Sequence, residues 1–192
     1  MGVAVQPRPL TRRGRALVAF TALGLAFMWA AALHAYLALP EEALVPTHFG
    51  PGGEPTSWGS KDALLWLALA LSAAPLVILA AVKFRFTLLE RAPYLLSLPA
   101  FLTRLHELSF EERGRWVNMY FEALAGLGAA LTYLMLYLYL ALLQALSSGQ
   151  LSGLVVPSTM TSVIALLAAF LLYLRRLSRR LAAQLKALHA QA

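Results

Sequence analysis

The sequence predicts an all-α integral membrane protein, a four-helix transmembrane bundle with both termini cytoplasmic and an ordered external loop between helices 1 and 2. Composition is the first indication: 60% of the 192 residues are hydrophobic, 13% are charged, and the mean hydropathy is +0.68. Soluble domains carry about 25% charged residues. The second indication is length, because the apolar residues form four uncharged runs that are long enough to cross a hydrocarbon core of about 30 Å.

The four runs define the predicted transmembrane spans, which are 16–39, 63–82, 116–146 and 154–174. In the third span the uncharged part begins only at Ala123, but a Ser-x-x-Glu capping pattern at Ser109 and Glu112 predicts a helix start near Phe110. The first turns of this helix should therefore project from the membrane.

Charge predicts the orientation of the four spans. Fifteen of the sixteen basic residues fall in the two terminal segments and in the loop 83–115, and only Lys61 falls in the loop 40–62. Positive charge concentrates on the cytoplasmic side of membrane proteins. The basic excess is thus a topology signal rather than a nucleic-acid footprint, and it indicates a multi-pass protein of the cell inner (cytoplasmic) membrane. The lipid bilayer is its first expected partner.

Two segments outside the spans have an amphipathic or apolar character of their own. Residues 92–102, within the cytoplasmic loop 83–115, are apolar but too short to span, which favours an interfacial or re-entrant segment. Residues 175–192 form a basic tail with leucines at three- and four-residue steps. This tail is predicted to be an amphipathic helix that lies on the inner leaflet or extends the fourth span, with a solvated tail as the alternative.

The external loop 40–62 contains an unusual stretch, VPTHFGPGGEPTSWGSK. Its prolines restrict the backbone and its glycines permit tight turns. Phe49 and Trp58 are expected to pack on the helix ends or to lie in the headgroup layer, so Trp58→Ala should lower the melting temperature. The loop is either a structural lid or a recognition surface, and its candidate ligand-binding residues are Pro46, His48, Phe49, Glu54, Trp58 and Lys61.

A polar face on the third helix is the second candidate site. Arg115, Asn118 and Glu122 fall three and four residues apart, so they share one side of the helix. Ionisable residues within a membrane are functional-site hypotheses by default. The alternative for Glu122 is structural, an ion pair with Arg115 or with an arginine of the tail.

Signals for catalysis and cofactors are weak. The chain has no cysteine and four histidines, and His34 and His48 have no further ligand at zinc-site spacing. The order Gly-Ser-Lys at 59–61 departs from a phosphate loop, which needs Gly-Lys-Ser/Thr before a helix. We therefore expect no catalytic residue, no metal and no cofactor.

One family resemblance is carried by the external loop. Leu39-Pro40, then Val45-Pro46-x-His48-Phe49, a Gly53-Glu54 turn and Gly59-Ser60-Lys61 resemble a bacterial membrane domain of unknown function at the N-terminus of SdpI-type immunity proteins. The resemblance covers roughly residues 16–82. It implies a role in immunity or signalling, although those proteins have six spans rather than four.

Together these features predict a non-enzymatic protein that recognises a peptide, lipid or protein ligand through its external loop. One alternative is an accessory or structural subunit of a larger membrane complex. A less favoured one is a small transporter or intramembrane enzyme that uses Glu122 and a histidine. A homo-oligomer or a partner in a membrane complex is compatible with each hypothesis, and no nucleic-acid partner is expected.

Overall fold

The computed structural model of the chain describes residues 4–91 and 100–190, in which long helices dominate. In chain order the elements are α1 (Arg12–Ala38), β1 (Leu44–Phe49), β2 (Pro55–Ser60), α2 (Ala63–Lys83), α3 (Arg85–Arg91), a 3-10 helix (Ala100–Glu107), α4 (Phe110–Ser148) and α5 (Val155–His189). Helices α1, α2, α4 and α5 are long and apolar enough to span a membrane, as predicted. Most of the predicted interfacial segment, 92–102, lies outside the described residues.

Helix α4 is the centre of the bundle, and α1, α2 and α5 all pack against it. Glycines permit α4 to pack closely against both α2 and α1. A Cβ added at Gly128 would come within 2.7 Å of Ile78 on α2, and one added at Gly24 would come within 2.8 Å of Thr132 on α4. Ala125 and Ala129 of α4 are also buried. Small side chains therefore set the close helix contacts, as is common in membranes.

Helix α4 begins where the capping pattern predicts. The Ser109 hydroxyl oxygen accepts a hydrogen bond from the Glu112 backbone N–H at 3.4 Å, which caps the first turn. The Glu112 carboxylate accepts a separate hydrogen bond, from the Gln184 side-chain amide of α5, at 2.7 Å. The start of α4 is thus linked to the far end of α5.

The basic tail is part of α5, which continues without a break to His189. Its leucines Leu177, Leu181 and Leu185 are buried in a core cluster that includes Trp116 and Phe121 of α4. The tail therefore extends the fourth span, which was one of the predicted alternatives. By contrast, only 6% of the residues in the membrane-length part of α5 are buried within the protein.

Candidate functional site

The loop between α1 and α2 is a β-hairpin, in which β1 and β2 pair in antiparallel fashion. The sequence predicts an ordered loop at this position but not its strands. Pro46 lies opposite Trp58, and His48 lies opposite Ser57, with irregularities in register between Pro46 and His48 and between His48 and Phe49. Within the hairpin, the Thr47 hydroxyl donates a hydrogen bond to the Ser57 hydroxyl oxygen at 3.2 Å.

The turn of the hairpin docks on the segment between α4 and α5. The Leu151 backbone N–H donates to the Gly53 carbonyl oxygen at 2.8 Å, and the Gln150 side-chain amide donates to the Gly52 carbonyl oxygen at 2.9 Å. Gly53 has a φ of 84°, and a Cβ at this position would overlap the Leu151 carbonyl oxygen. Only glycine permits both this conformation and this contact.

We expect Gly53→Ala to lower the free energy of unfolding by about 2 kcal/mol, because it adds a steric overlap to the cost of a left-handed residue. Gly149→Ala is the matched control: Gly149 has a φ of 74°, but apart from its chain neighbours no described residue has an atom within 4 Å of an added Cβ. This control substitution should lower the free energy of unfolding by about 1 kcal/mol. Thermal unfolding of the purified variants in detergent measures both, and equal losses would contradict a docked turn.

Lys61 joins the base of the hairpin to the end of α1. Its ammonium group donates to the Leu39 carbonyl oxygen at 3.3 Å and lies 4.6 Å from the centre of the Tyr36 ring. A cation at a helix C-terminus is favourable, and so is a cation over an aromatic ring. Lys61 therefore holds the two ends of the hairpin together.

A mostly apolar cavity of about 370 Å³ lies between the hairpin and the helix ends. Strand β1 contributes one wall, α2 a second and α4 a third. The lining residues are Val45, Pro46, Thr47, Phe49, Ala63, Leu64, Trp66, Leu67, Leu142 and Leu146. Its size is within the range of small-ligand pockets, which are about 300–1,000 Å³.

The six predicted loop residues are divided between this cavity and its surroundings. Pro46 and Phe49 line the cavity. Phe49 also packs on a cluster that contains Ala145 and Leu151, as expected. Trp58 is 55% exposed, so its expected packing on the helix ends is wrong and the headgroup layer remains as its predicted environment. His48 and Glu54 are exposed on the hairpin, and Lys61 lies at its base.

Two residues near this site are not among the sequence-predicted set. Trp66, on the first turns of α2, lines the cavity and is 69% exposed. Its position beside the loop is a signal that sequence reasoning missed. Leu151 holds the turn through its backbone, and since any residue has a backbone N–H, no pattern identifies it.

The polar face of α4 forms a separate, internal cluster at the other end of the bundle. Asn118 is buried, and its amide group donates to the carbonyl oxygens of Arg8 and Pro9 at 3.2 and 2.8 Å. The Arg85 guanidinium donates to the Asn118 carbonyl oxygen at 2.8 Å, to the Val82 carbonyl oxygen at 2.9 Å and to the Arg8 carbonyl oxygen at 2.8 Å. Residues 4–11, the N-terminal arm, are therefore held by internal polar groups.

Arg85 is the residue of this cluster that sequence reasoning missed. It belongs to the basic loop that predicts orientation, yet its side chain is only 8% exposed. Burial lowers the pKa of the guanidinium, and the nearby Glu122 carboxylate partly offsets this change. Arginine stays protonated throughout the accessible pH range, so it remains a donor.

Glu122 binds the start of α1. Its carboxylate accepts hydrogen bonds from the Thr11 backbone N–H at 2.7 Å and from the Thr11 hydroxyl at 2.9 Å. The expected ion pair with Arg115 or a tail arginine is wrong in the part of the chain that the structure describes, and Arg115 itself is exposed. A helix N-terminus carries unpaired N–H groups and a partial positive charge, so a carboxylate is a favourable partner.

Among residues 4–91 and 100–190, no three His, Asp or Glu side chains come close enough together to hold a metal ion. Backbone and side-chain hydrogen bonds hold the two regions described above, which are the docked hairpin and the polar cluster of α4. Four apolar helices, with a hairpin between the first two, define a multi-pass membrane protein.

Comparison with known proteins places this chain in a family. Residues 23–72 match a family model described as a domain of unknown function, DUF1648. An uncharacterized protein of Archaeoglobus fulgidus is 43% identical over 128 residues, which are 67% of this chain and 69% of that protein. The chain therefore belongs to the family that includes this archaeal protein. No solved structure matches it.

The matched region contains the whole hairpin and parts of α1 and α2. A domain of unknown function was expected over roughly residues 16–82, and the match confirms that part of the resemblance. The hairpin cavity is thus built largely from the DUF1648 region, with α4 as its remaining wall.

Proposed function

We propose that the protein is a non-enzymatic membrane receptor that binds an apolar, extended peptide through the hairpin and the cavity beneath it. The observation that carries the proposal is the cavity of about 370 Å³ between β1 and the ends of α2 and α4. Val45 and Leu64 close its inner side, since both are at most 5% exposed. An apolar side chain can enter such a cavity and lose its contact with water.

Two exposed tryptophans support recognition at this surface. Trp66 forms part of the cavity wall, and Trp58 lies opposite Pro46, which is also in the wall. Tryptophan is enriched among residues that dominate binding energy and also at membrane interfaces. Both tryptophans are free to bury further area when a ligand arrives.

The hairpin favours a peptide over other ligands. A two-stranded sheet has a free edge on each strand, and an extended peptide can add to such an edge by main-chain hydrogen bonds. The cavity would then take one of its side chains. Similarity of the loop to SdpI-type immunity proteins agrees with an immunity or signalling role on the outer face of the cell inner membrane.

The test is a selection of random linear peptides displayed on phage against the full-length protein in nanodiscs. Synthetic copies of enriched peptides are then titrated and their binding is followed by fluorescence anisotropy. We expect an aromatic or branched apolar residue in the enriched peptides. Ala63→Leu, which fills part of the cavity, and Trp58→Ala should each weaken binding about 10-fold or more.

The matched control is Ala80→Leu, which adds the same group to an exposed position of α2 that lies more than three helical turns beyond the last lining residue of this helix, Leu67. It should bind peptide as the unmodified protein does. Contrary to the expectation from the sequence, Trp58→Ala should keep the original melting temperature, because the side chain is 55% exposed. The absence of peptides enriched over empty nanodiscs, or full binding by Ala63→Leu, would overturn the proposal.

The accessory-subunit hypothesis predicts a different result with the same material. A partner subunit that covers the hairpin would co-purify in stoichiometric amount, and peptide selection would fail. A transporter or intramembrane enzyme that depends on Glu122 would lose activity in Glu122→Gln while its stability stayed unchanged. The bonds from Thr11 to Glu122 favour a structural role for this carboxylate.

A further inference from the structure

A lateral groove between α1, α4 and α5 is a feature that the proposed function does not use. Its deeper part is a cavity of about 440 Å³, lined by Arg13 and Leu17 of α1, by α4 from Met119 to Ala130, and by α5 from Leu166 to Tyr173. Ala130 and Leu166 also line a second, more open cavity further along the same helices. The groove exists because α5 packs on α4 and leaves a gap beside α1.

The length of the deeper cavity matches one leaflet of a bilayer. From Met119 to Ala130, α4 rises about 17 Å at about 1.5 Å per residue. Half of a hydrocarbon core of about 30 Å is about 15 Å. The walls are mainly apolar, with Gly126 and Ala169 leaving room at the centre. A single acyl chain fits the shape and chemistry of this space.

The end of the groove near the N-terminus of α1 is basic. Arg13 lines it directly. On α5, the lining residues Leu166, Ala169 and Tyr173 follow steps of three and four, and the same steps continue to Arg176 and Arg180. The carboxylate at this end, Glu122, already accepts two hydrogen bonds from Thr11.

We propose that the groove binds an anionic phospholipid of the leaflet at the basic end of the bundle. One acyl chain lies along α4 between Leu17 and Phe170, and the phosphate group lies between Arg13 and the two arginines of α5. Basic pockets between transmembrane helices are suited to anionic headgroups. This proposal concerns a different surface from the hairpin and does not depend on peptide binding.

A second copy of the chain fits the groove less well. Neighbouring copies in one membrane have the same orientation, so both would bring their basic ends to the same level. The chain has a net charge of +7, and the arginines of the groove would then face those of the other copy. Repulsion between these like charges at close range opposes such a contact, whereas a phosphate group would be attracted to the same arginines.

The experiment is native mass spectrometry of the full-length protein, released from nanodiscs of phosphatidylglycerol and phosphatidylcholine in varied ratio. The unmodified protein should retain one phosphatidylglycerol. The triple variant Arg13→Gln, Arg176→Gln, Arg180→Gln should show an apparent affinity about 100-fold lower. Gly126→Leu should also weaken retention, because its added Cβ has room, with Leu17 at 3.8 Å, and the rest of the side chain fills the groove.

The matched control is the triple variant Arg15→Gln, Arg175→Gln, Arg179→Gln, which removes the same charge from the opposite faces of α1 and α5. It should retain the lipid as the unmodified protein does. Should Gly126→Leu fail to fold, Ala169→Leu blocks the groove from α5. Equal retention of the two lipids, equal losses in the two triple variants, or a lipid-free dimer would each overturn the proposal.

Discussion

Replacing Arg85 with methionine is expected to lower the free energy of unfolding by about 4 kcal/mol. The buried guanidinium donates three hydrogen bonds, to the side chain of Asn118 and to the carbonyl oxygens of Val82 and Arg8. Methionine fills much of the space but leaves those oxygens without this donor. Unfolding by SDS titration in mixed micelles, followed by circular dichroism, measures the loss.

Arg85→Lys should recover less than half of this loss, since one ammonium group cannot reproduce the fork of a guanidinium. Arg91→Met is the matched control, because Arg91 is exposed at the end of α3. Its effect should stay below about 1 kcal/mol. If Arg85→Met were no more costly than Arg91→Met, the buried polar cluster would not hold the N-terminal arm.

Replacing Glu122 with alanine is expected to lower the free energy of unfolding by about 3 kcal/mol, because two hydrogen bonds to a carboxylate are lost. The Thr11 N–H and hydroxyl would lose their acceptor. The first turn of α1 should then fray, and trypsin should cleave faster after Arg12 or Arg13. SDS titration and limited proteolysis measure the two effects.

A double-mutant cycle with Thr11→Val isolates the hydroxyl bond, and we expect a coupling energy of about 1.5 kcal/mol. Glu111→Ala serves as the control, since Glu111 is exposed on the first turn of α4 and should cost less than about 1 kcal/mol. Unchanged stability of Glu122→Ala would favour the functional alternative, in which the carboxylate serves transport or catalysis.

Glu122 also shows why the candidate sites could be predicted only in part. Its position within reach of the membrane marks it in the sequence, but its partner Thr11 is 111 residues away. Arg85 is one of six basic residues in the segment 83–115, and nothing local separates its buried side chain from the exposed ones. Trp66 lies in an apolar run that a membrane span accounts for, so its residue type does not mark it as part of a site.

The hairpin illustrates the same limit for the fold. The stretch 45–61 predicts turns through its glycines and prolines, but it lacks the alternation of apolar and polar residues that indicates strands. The pairing of Pro46 with Trp58 joins two separate segments, and so does the docking of Gly53 on Leu151, so neither contact can be predicted from one segment alone. A loop with tight turns was predictable at this position, whereas its strands and its cavity were not.

The sequence by itself determined the four apolar helices, the start of α4 at its Ser109 cap and the position of the hairpin segment. These properties depend on the length of apolar runs and on residues within one helical turn of each other. Only the tertiary structure decided that Glu122 binds α1, that Arg85 is buried and that two cavities flank α4. Each of these depends on contacts between distant segments, whose geometry is set by how the helices pack.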